Sequence, residues 1–237
     1  MVYCIILLVL GAICLTLFLM EKIKAYSVKE TLIKSCTSFL FILLAVYANF
    51  HNGNHPFGMF VICALTLGLM GDIWLDLKYV FKEQDRIFTY AGFISFALGH
   101  VFYITGMLFF LPVAKYWHTF VIPFVMGLVS GGLILLMEKP LKMQYGEFKP
   151  ICFIYGSLLF TTMFTALYFV IVSIVNGTQM PTLYMLLAGG LLFAISDVIL
   201  CGTYFAENRE RPIDIITNSV TYYAAQYIIA FSLFFLI

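Results

Sequence analysis

Two aspartates stand inside long apolar runs. Asp72 lies in Gly68-Leu69-Met70-Gly71-Asp72-Ile73-Trp74-Leu75, and Asp197 in Ala194-Ile195-Ser196-Asp197-Val198-Ile199-Leu200. A carboxyl group amid so many hydrocarbon side chains costs about 2.5–3.5 kcal/mol to place in a bilayer, so it needs a reason to be there. Its useful chemistry is proton transfer, stabilisation of a cation, or carriage of an ion. Asp76 follows Asp72 by one helical turn, at a place shallow enough for the headgroups to solvate it. Other polar side chains in comparable runs are His100, Ser196, Asn218, Tyr222, Tyr223 and Gln226. Asn218, Tyr222 and Gln226 recur every fourth residue and so share one face of a helix.

Other chemistries have weaker support. A metal site needs several convergent ligands. Of the four histidines, His51, His55 and His118 fall in or beside loops, which leaves His100 alone in an apolar run; no metal or other cofactor is predicted. Cys201 lies one turn beyond Asp197, but no histidine is placed to activate it as a nucleophile. There is no Gly-x-Ser-x-Gly elbow, P-loop or dinucleotide fingerprint.

The elements that carry these residues follow from composition. Of 237 residues, 63% are hydrophobic and 11% charged, too few charges for a water-exposed surface. The apolar residues come in blocks of about 20, the number a helix needs to cross the hydrocarbon layer. The expected fold is all-α, a single polytopic membrane domain of about eight transmembrane helices over residues 1–237. The spans run Val2–Met20, Leu32–Phe50, Phe57–Leu77, Ile87–Leu111, Trp117–Met137, Ile151–Val175, Thr182–Phe205 and Thr217–Ile237. Charge tests this division independently. Of the 13 basic residues, all but Lys115 fall in the odd-numbered connections, as the positive-inside rule asks of a cell-membrane protein with both termini outside. Lys22 and Lys34 are counted here among these topology determinants. The basic residues are spread over short loops and form no patch for nucleic acid. All six cysteines lie within spans, so no disulfide framework is implied.

Depth then places the polar groups relative to one another. Counted from the basic side at 1.5 Å per residue, Asp72 lies about 8 Å in, Asp197 about 12 Å and His100 about 20 Å. The expectation is one polar pocket between the third, fourth, seventh and eighth helices. Gly71–Leu75 and Ser196–Leu200 share a pattern of small residue, Asp, β-branched residue, any residue, Leu. Four intervening spans would give the two halves one orientation, a parallel four-plus-four pseudo-repeat.

Four segments, in order, resemble the motifs of the YhhN family. They are Gly71-Asp72, the Phe93…Gly99-His100…Tyr103 stretch, Leu192 to Asp197, and Thr221-Tyr222-Tyr223-Ala224-Ala225-Gln226. Gly68 departs from the pattern, since a hydroxyl residue is expected there. Characterised YhhN proteins are lysoplasmalogenases, so the resemblance implies a lysophospholipid substrate. Its vinyl ether bond would be cleaved to a fatty aldehyde and a glycerophospho-base. Such a bond hydrolyses through protonation of carbon and capture of an oxocarbenium ion by water. That needs one carboxylic acid and one carboxylate, as in glycosidases. Asp72 and Asp197 are the expected pair, without assignment of acid and base. His100, Tyr103, Ser196, Asn218, Tyr222, Tyr223 and Gln226 would bind substrate or water, and membrane lipids would surround the whole. The competing expectation is a proton- or cation-coupled transporter, channel or lipid-binding protein using the same aspartates. A purely structural subunit would tolerate their loss.

Overall fold

The computed structural model describes residues 2–24, 26–113, 116–206 and 211–236. Lys115, Arg209 and Ile237, used above for topology and the last span, lie outside the described residues. Among those described, eight α-helices follow one another: α1 (Val2–Lys22), α2 (Val28–His51), α3 (Pro56–Val80), α4 (Asp85–Phe110), α5 (Trp117–Leu136), α6 (Lys149–Val175), α7 (Pro181–Phe205) and α8 (Pro212–Ser232). They hold 20 to 27 residues each, about 30–40 Å of helix, enough to cross a hydrocarbon layer.

Local signals set the starts. Ser27 accepts a hydrogen bond from the Glu30 amide at the head of α2, an N-cap. Prolines open α3, α6, α7 and α8, in the first turn where a missing N–H is harmless. On the basic side several helices outrun the spans expected from hydropathy. α2 begins at Val28, α3 runs to Val80 and α8 begins at Pro212. The added turns carry charges with partners nearby: Glu30 and Lys29 at the head of α2 pair with Lys22 and Glu21 of α1, and Asp214 of α8 with Arg211.

Seven of the eight helices are long and apolar enough to cross a membrane. The exception is α8. It is as long as α1, but its stripe of Asn218, Tyr222 and Gln226 lowers its hydropathy. That stripe turns inward, with Tyr222, Tyr223 and Gln226 buried. α8 is less apolar because its polar face meets protein instead of lipid.

Consecutive helices pack together except α4 and α5, and contacts between non-consecutive helices close the bundle. α4 lies along α6, and α8 lies along α2. The last helix of each half therefore packs on the second helix of the other half. Close approach is made possible by small residues. A Cβ at Gly131 would sit 2.3 Å from the Ser157 Oγ, so α5 and α6 can touch only with glycine there.

The odd-numbered connections gather at one end. Tyr26 stacks on Tyr79 at 3.8 Å, and Arg86 pairs with Glu147 at 2.9 Å. The Gln144 amide bonds the Phe205 carbonyl at 2.7 Å. The aspartates lie toward this end.

Candidate active site

Asp72 projects from α3 into the interior and is almost fully buried. Its Oδ2 accepts hydrogen bonds from Ser38 Oγ of α2 at 2.8 Å and Tyr222 Oη of α8 at 2.9 Å. Its Oδ1 faces the Lys34 ammonium at 3.4 Å. One turn on, Asp76 pairs with Lys34 at 3.1 Å and Lys22 at 2.8 Å, and Lys22 also meets Glu30 at 3.1 Å. The result is a chain of five charges, Asp72–Lys34–Asp76–Lys22–Glu30.

This corrects two expectations. Asp76 is only 1% exposed, not solvated among headgroups. Lys22 and Lys34 are not merely topology determinants; both turn inward to the carboxylates, with side chains 11% and 13% exposed. The ends of α1, α2 and α3 on the basic side deliver these charges to one another, and the bundle encloses the set. A buried charge persists only when paired, so these residues specify one another.

Asp197 projects from α7 and has different company. The Tyr155 hydroxyl of α6 donates to its Oδ2. Beside it, Ser196 Oγ donates to the Asn218 side-chain oxygen at 3.0 Å and backbone carbonyl at 3.2 Å, tying α7 to α8. Tyr223 shares a hydrogen bond with Ser38 at 3.1 Å and donates to the Lys34 carbonyl at 3.2 Å, so it steadies α2.

Asp72 and Asp197 line the same cavity, of about 690 Å³, whose wall also includes Lys34, Asp76, Asn218 and Tyr222. The structure therefore brings Asp72, Asp197, Ser196, Asn218, Tyr222 and Tyr223 to one cavity. Its walls differ from those expected. α1 and α2 contribute Phe18, Lys22 and Lys34, whereas α4 contributes Phe96 alone.

His100, Tyr103 and Gln226 are placed elsewhere. They line a smaller space of about 190 Å³, with Phe96 and Phe193. Both rings pack edge-on against Tyr222, with centroids 6.3 and 5.5 Å away. His100 Nδ1 lies 3.0 Å from Thr162 Oγ1, and its Nε2 has no hydrogen-bond partner among the described residues. Tyr103 donates to Gln226 at 3.4 Å. The expectation of one pocket that also holds His100 is thus corrected: His100 lies deeper, behind an aromatic wall. Gln226 keeps an indirect link, since its amide reaches the Tyr222 hydroxyl that bonds Asp72.

A larger cavity, about 1130 Å³, opens on the other side of Asp197 among α5, α6 and α7. The connection after α5 closes one end with Met143 and Tyr145. Burial pushes the Tyr145 phenol up, so it stays a neutral donor. Its hydroxyl is 3.3 Å from Cys201 Sγ. Among the described residues no histidine lines this cavity to activate Cys201. No group of three or more His, Cys, Asp or Glu side chains is arranged to hold a metal among the described residues.

Sequence reasoning missed Tyr155, Ser38, Lys34 and Lys22. For Ser38 a signal existed, in the hydroxyl-rich run Ser35-Cys36-Thr37-Ser38 inside an apolar span.

A family model, that of the YhhN family, matches residues 30–233. The chain belongs to the YhhN family. The match begins at Glu30, a member of the charge chain, and takes in both aspartates and the α8 stripe. No curated protein and no solved structure matches it. Within this YhhN chain, Gly68 gains a physical account. The hydroxyl donors to Asp72 come from Ser38 and Tyr222 on neighbouring helices, so Asp72 is held without a hydroxyl on its own helix.

Proposed function

We propose that this protein is a membrane hydrolase that cleaves the vinyl ether bond of lysoplasmalogens, with Asp197 as acid and Asp72 as base. The observation that carries the reading is the contrast between two carboxyl groups on one cavity. Asp72 has an ammonium at 3.4 Å and two hydroxyl donors, partners suited to a carboxylate. Asp197 has no cation partner among the described residues and borders a hydrocarbon-lined chamber, surroundings suited to a carboxyl that holds its proton. Two carboxyls on one cavity with environments this different divide acid and base roles between them.

The steps use these groups and water. Asp197 gives its proton to the vinyl carbon distal to oxygen, and the electron pair of the double bond forms the new C–H bond. The carbon attached to oxygen becomes an oxocarbenium ion. Around it, the chain from Asp72 to Glu30 sets three carboxylates against two ammoniums, so the cation enters a field that favours it. Asp72 takes a proton from water as its oxygen adds to that carbon, giving a hemiacetal. Asp72 then returns the proton to the departing glycerol oxygen, while the hemiacetal hydroxyl gives its own to Asp197. Aldehyde and glycerophospho-base leave with both carboxyls restored. Tyr155 donates to Asp197 and steadies the carboxylate formed in the first step.

The test is aldehyde release by purified protein in detergent, offered alkenyl-, alkyl- and acyl-lysolipids. Only the alkenyl lipid should react. In heavy water the aldehyde, trapped as it forms, should carry one deuterium on the carbon next to its carbonyl. Absence of that deuterium would refute carbon protonation. Ion or lipid flux in sealed vesicles with no aldehyde in detergent would favour the transporter reading.

A further inference from the structure

The larger cavity on the far side of Asp197 plays no part in the proton steps. It is walled by Leu133, Leu159, Phe160, Val198, Cys201 and Phe205, among others, and among the described residues Asp197 supplies its one carboxyl group. Water or a phosphate would find few partners there, whereas a hydrocarbon would replace water along nearly its whole wall. Three residues, Asp197, Leu200 and Tyr204, line both this cavity and the polar one. An apolar chamber and a charged chamber therefore meet at a carboxyl group.

The apolar chamber also opens sideways. Leu133 and Val198 line it and are nonetheless 51% and 50% exposed. α5 packs along α6 but not along α7, which leaves a gap between α5 and α7. In a bilayer that gap faces acyl chains, where a single-chain lipid already resides.

We infer that the cavity among α5, α6 and α7 is the site for the aliphatic chain of the substrate lysolipid, reached laterally from the bilayer. This rests on the hydrolase reading above. It also explains the geometry of that reading. A vinyl ether lies where chain meets glycerol, and its protonated carbon is the one on the chain side. With the chain in the apolar chamber and the glycerophosphate in the charged one, that carbon falls at Asp197 and the oxygen-bearing carbon lies toward Asp72.

Gly156 offers a way to fill the chamber. It lines the cavity, and an added Cβ would meet nothing nearer than Ile134 Cδ1 at 3.5 Å. In Gly156→Leu, kcat/KM for a hexadecenyl-lysolipid should fall by about tenfold or more, and that for an octenyl-lysolipid by about twofold or less. Leu133→Trp, on the exposed lip, should shift the chain preference the same way should Gly156→Leu fail to fold. An alkyl-ether lysolipid with a diazirine at the chain end gives a readout without turnover. Its cross-links should fall on α5, α6 and α7 at the cavity wall and weaken in Gly156→Leu. Cross-links only on outer faces, or competed equally by a two-chain phospholipid, would overturn the chain site, as would unchanged chain preference in a folded, active variant. Wall cross-links without turnover of any alkenyl lipid would leave the chain site standing and remove the hydrolase.

Discussion

Asp72 and Asp197 occupy matching places in the two halves of the bundle, yet their surroundings are opposite. Asp72 sits on the third helix of its half, within a chain of five charges closed by α1, α2 and α8. Asp197 sits on the third helix of the other half, with a phenol from α6 on one side and a hydrocarbon-lined chamber beyond. The half containing α1 and α2 supplies lysines, and the half containing α5 and α6 supplies space. One architectural position can thus hold a charge or a proton, depending on what the second helix of the half delivers: Lys34 and Ser38 from α2, Tyr155 from α6.

The largest effect expected is on turnover. General acid or base catalysis contributes about 10²–10⁴-fold, so Asp72→Asn and Asp197→Asn should each lose about that much while the protein stays folded. Their pH profiles should then separate them. The reaction needs Asp72 ionised, so the wild-type rate falls as pH drops; that limb should vanish in Asp72→Asn. It needs Asp197 protonated, so the rate falls as pH rises; that limb should vanish in Asp197→Asn. Residual rates with the limbs exchanged would reverse the assignment, and full activity in either variant would end it.

Stability should show the same asymmetry. Lys34→Met leaves Asp72 without its cation and Asp76 with Lys22 alone. Removing one partner of a buried pair costs about 3–5 kcal/mol, which a denaturation series in detergent can measure. A change below about 1 kcal/mol would mean the chain of charges is not held as ions, because exposed pairs contribute only that much. Tyr155→Phe should cost less, about 1–3 kcal/mol, the loss of one buried hydrogen bond. It should also slow turnover by about tenfold by withdrawing support from the carboxylate formed at Asp197.

These differences mark what a sequence can and cannot disclose. The helices were legible because lipid imposes length and apolarity on each span. The aspartates were legible because a carboxyl in such a run is expensive. Depth along each helix also placed Asp72 and Asp197 close in level, and they do share a cavity. Depth does not give the direction in which a side chain faces. His100 is deeper by only a few turns, and two phenyl rings suffice to wall it off. Lys34 was hidden for a different reason. A lysine at a helix end satisfies the positive-inside rule whether it points to water or inward. Only the packing of α2 on α3 decides that it meets Asp72 and Asp76.

Gly68 gives the smallest effect and tests the finer claim that Asp72 is already fully held. A Cβ there would stand 3.5 Å from Tyr222 Oη and 3.6 Å from Gln226 Nε2, ordinary contact distances. Gly68→Ser therefore fits without displacing its neighbours, and its hydroxyl can join the Tyr222–Gln226 pair. Two gains are expected together: one more buried hydrogen bond, about 0.5–1.5 kcal/mol, and relief of glycine's extra entropy in a helix, about 0.5–1 kcal/mol. The melting temperature should rise by a few degrees. Turnover should change by no more than about threefold, since Ser38, Tyr222 and Lys34 already fix the carboxylate. A tenfold gain in turnover would show instead that Asp72 is under-restrained, and that the charged half of the site is less rigid than its hydrogen bonds require.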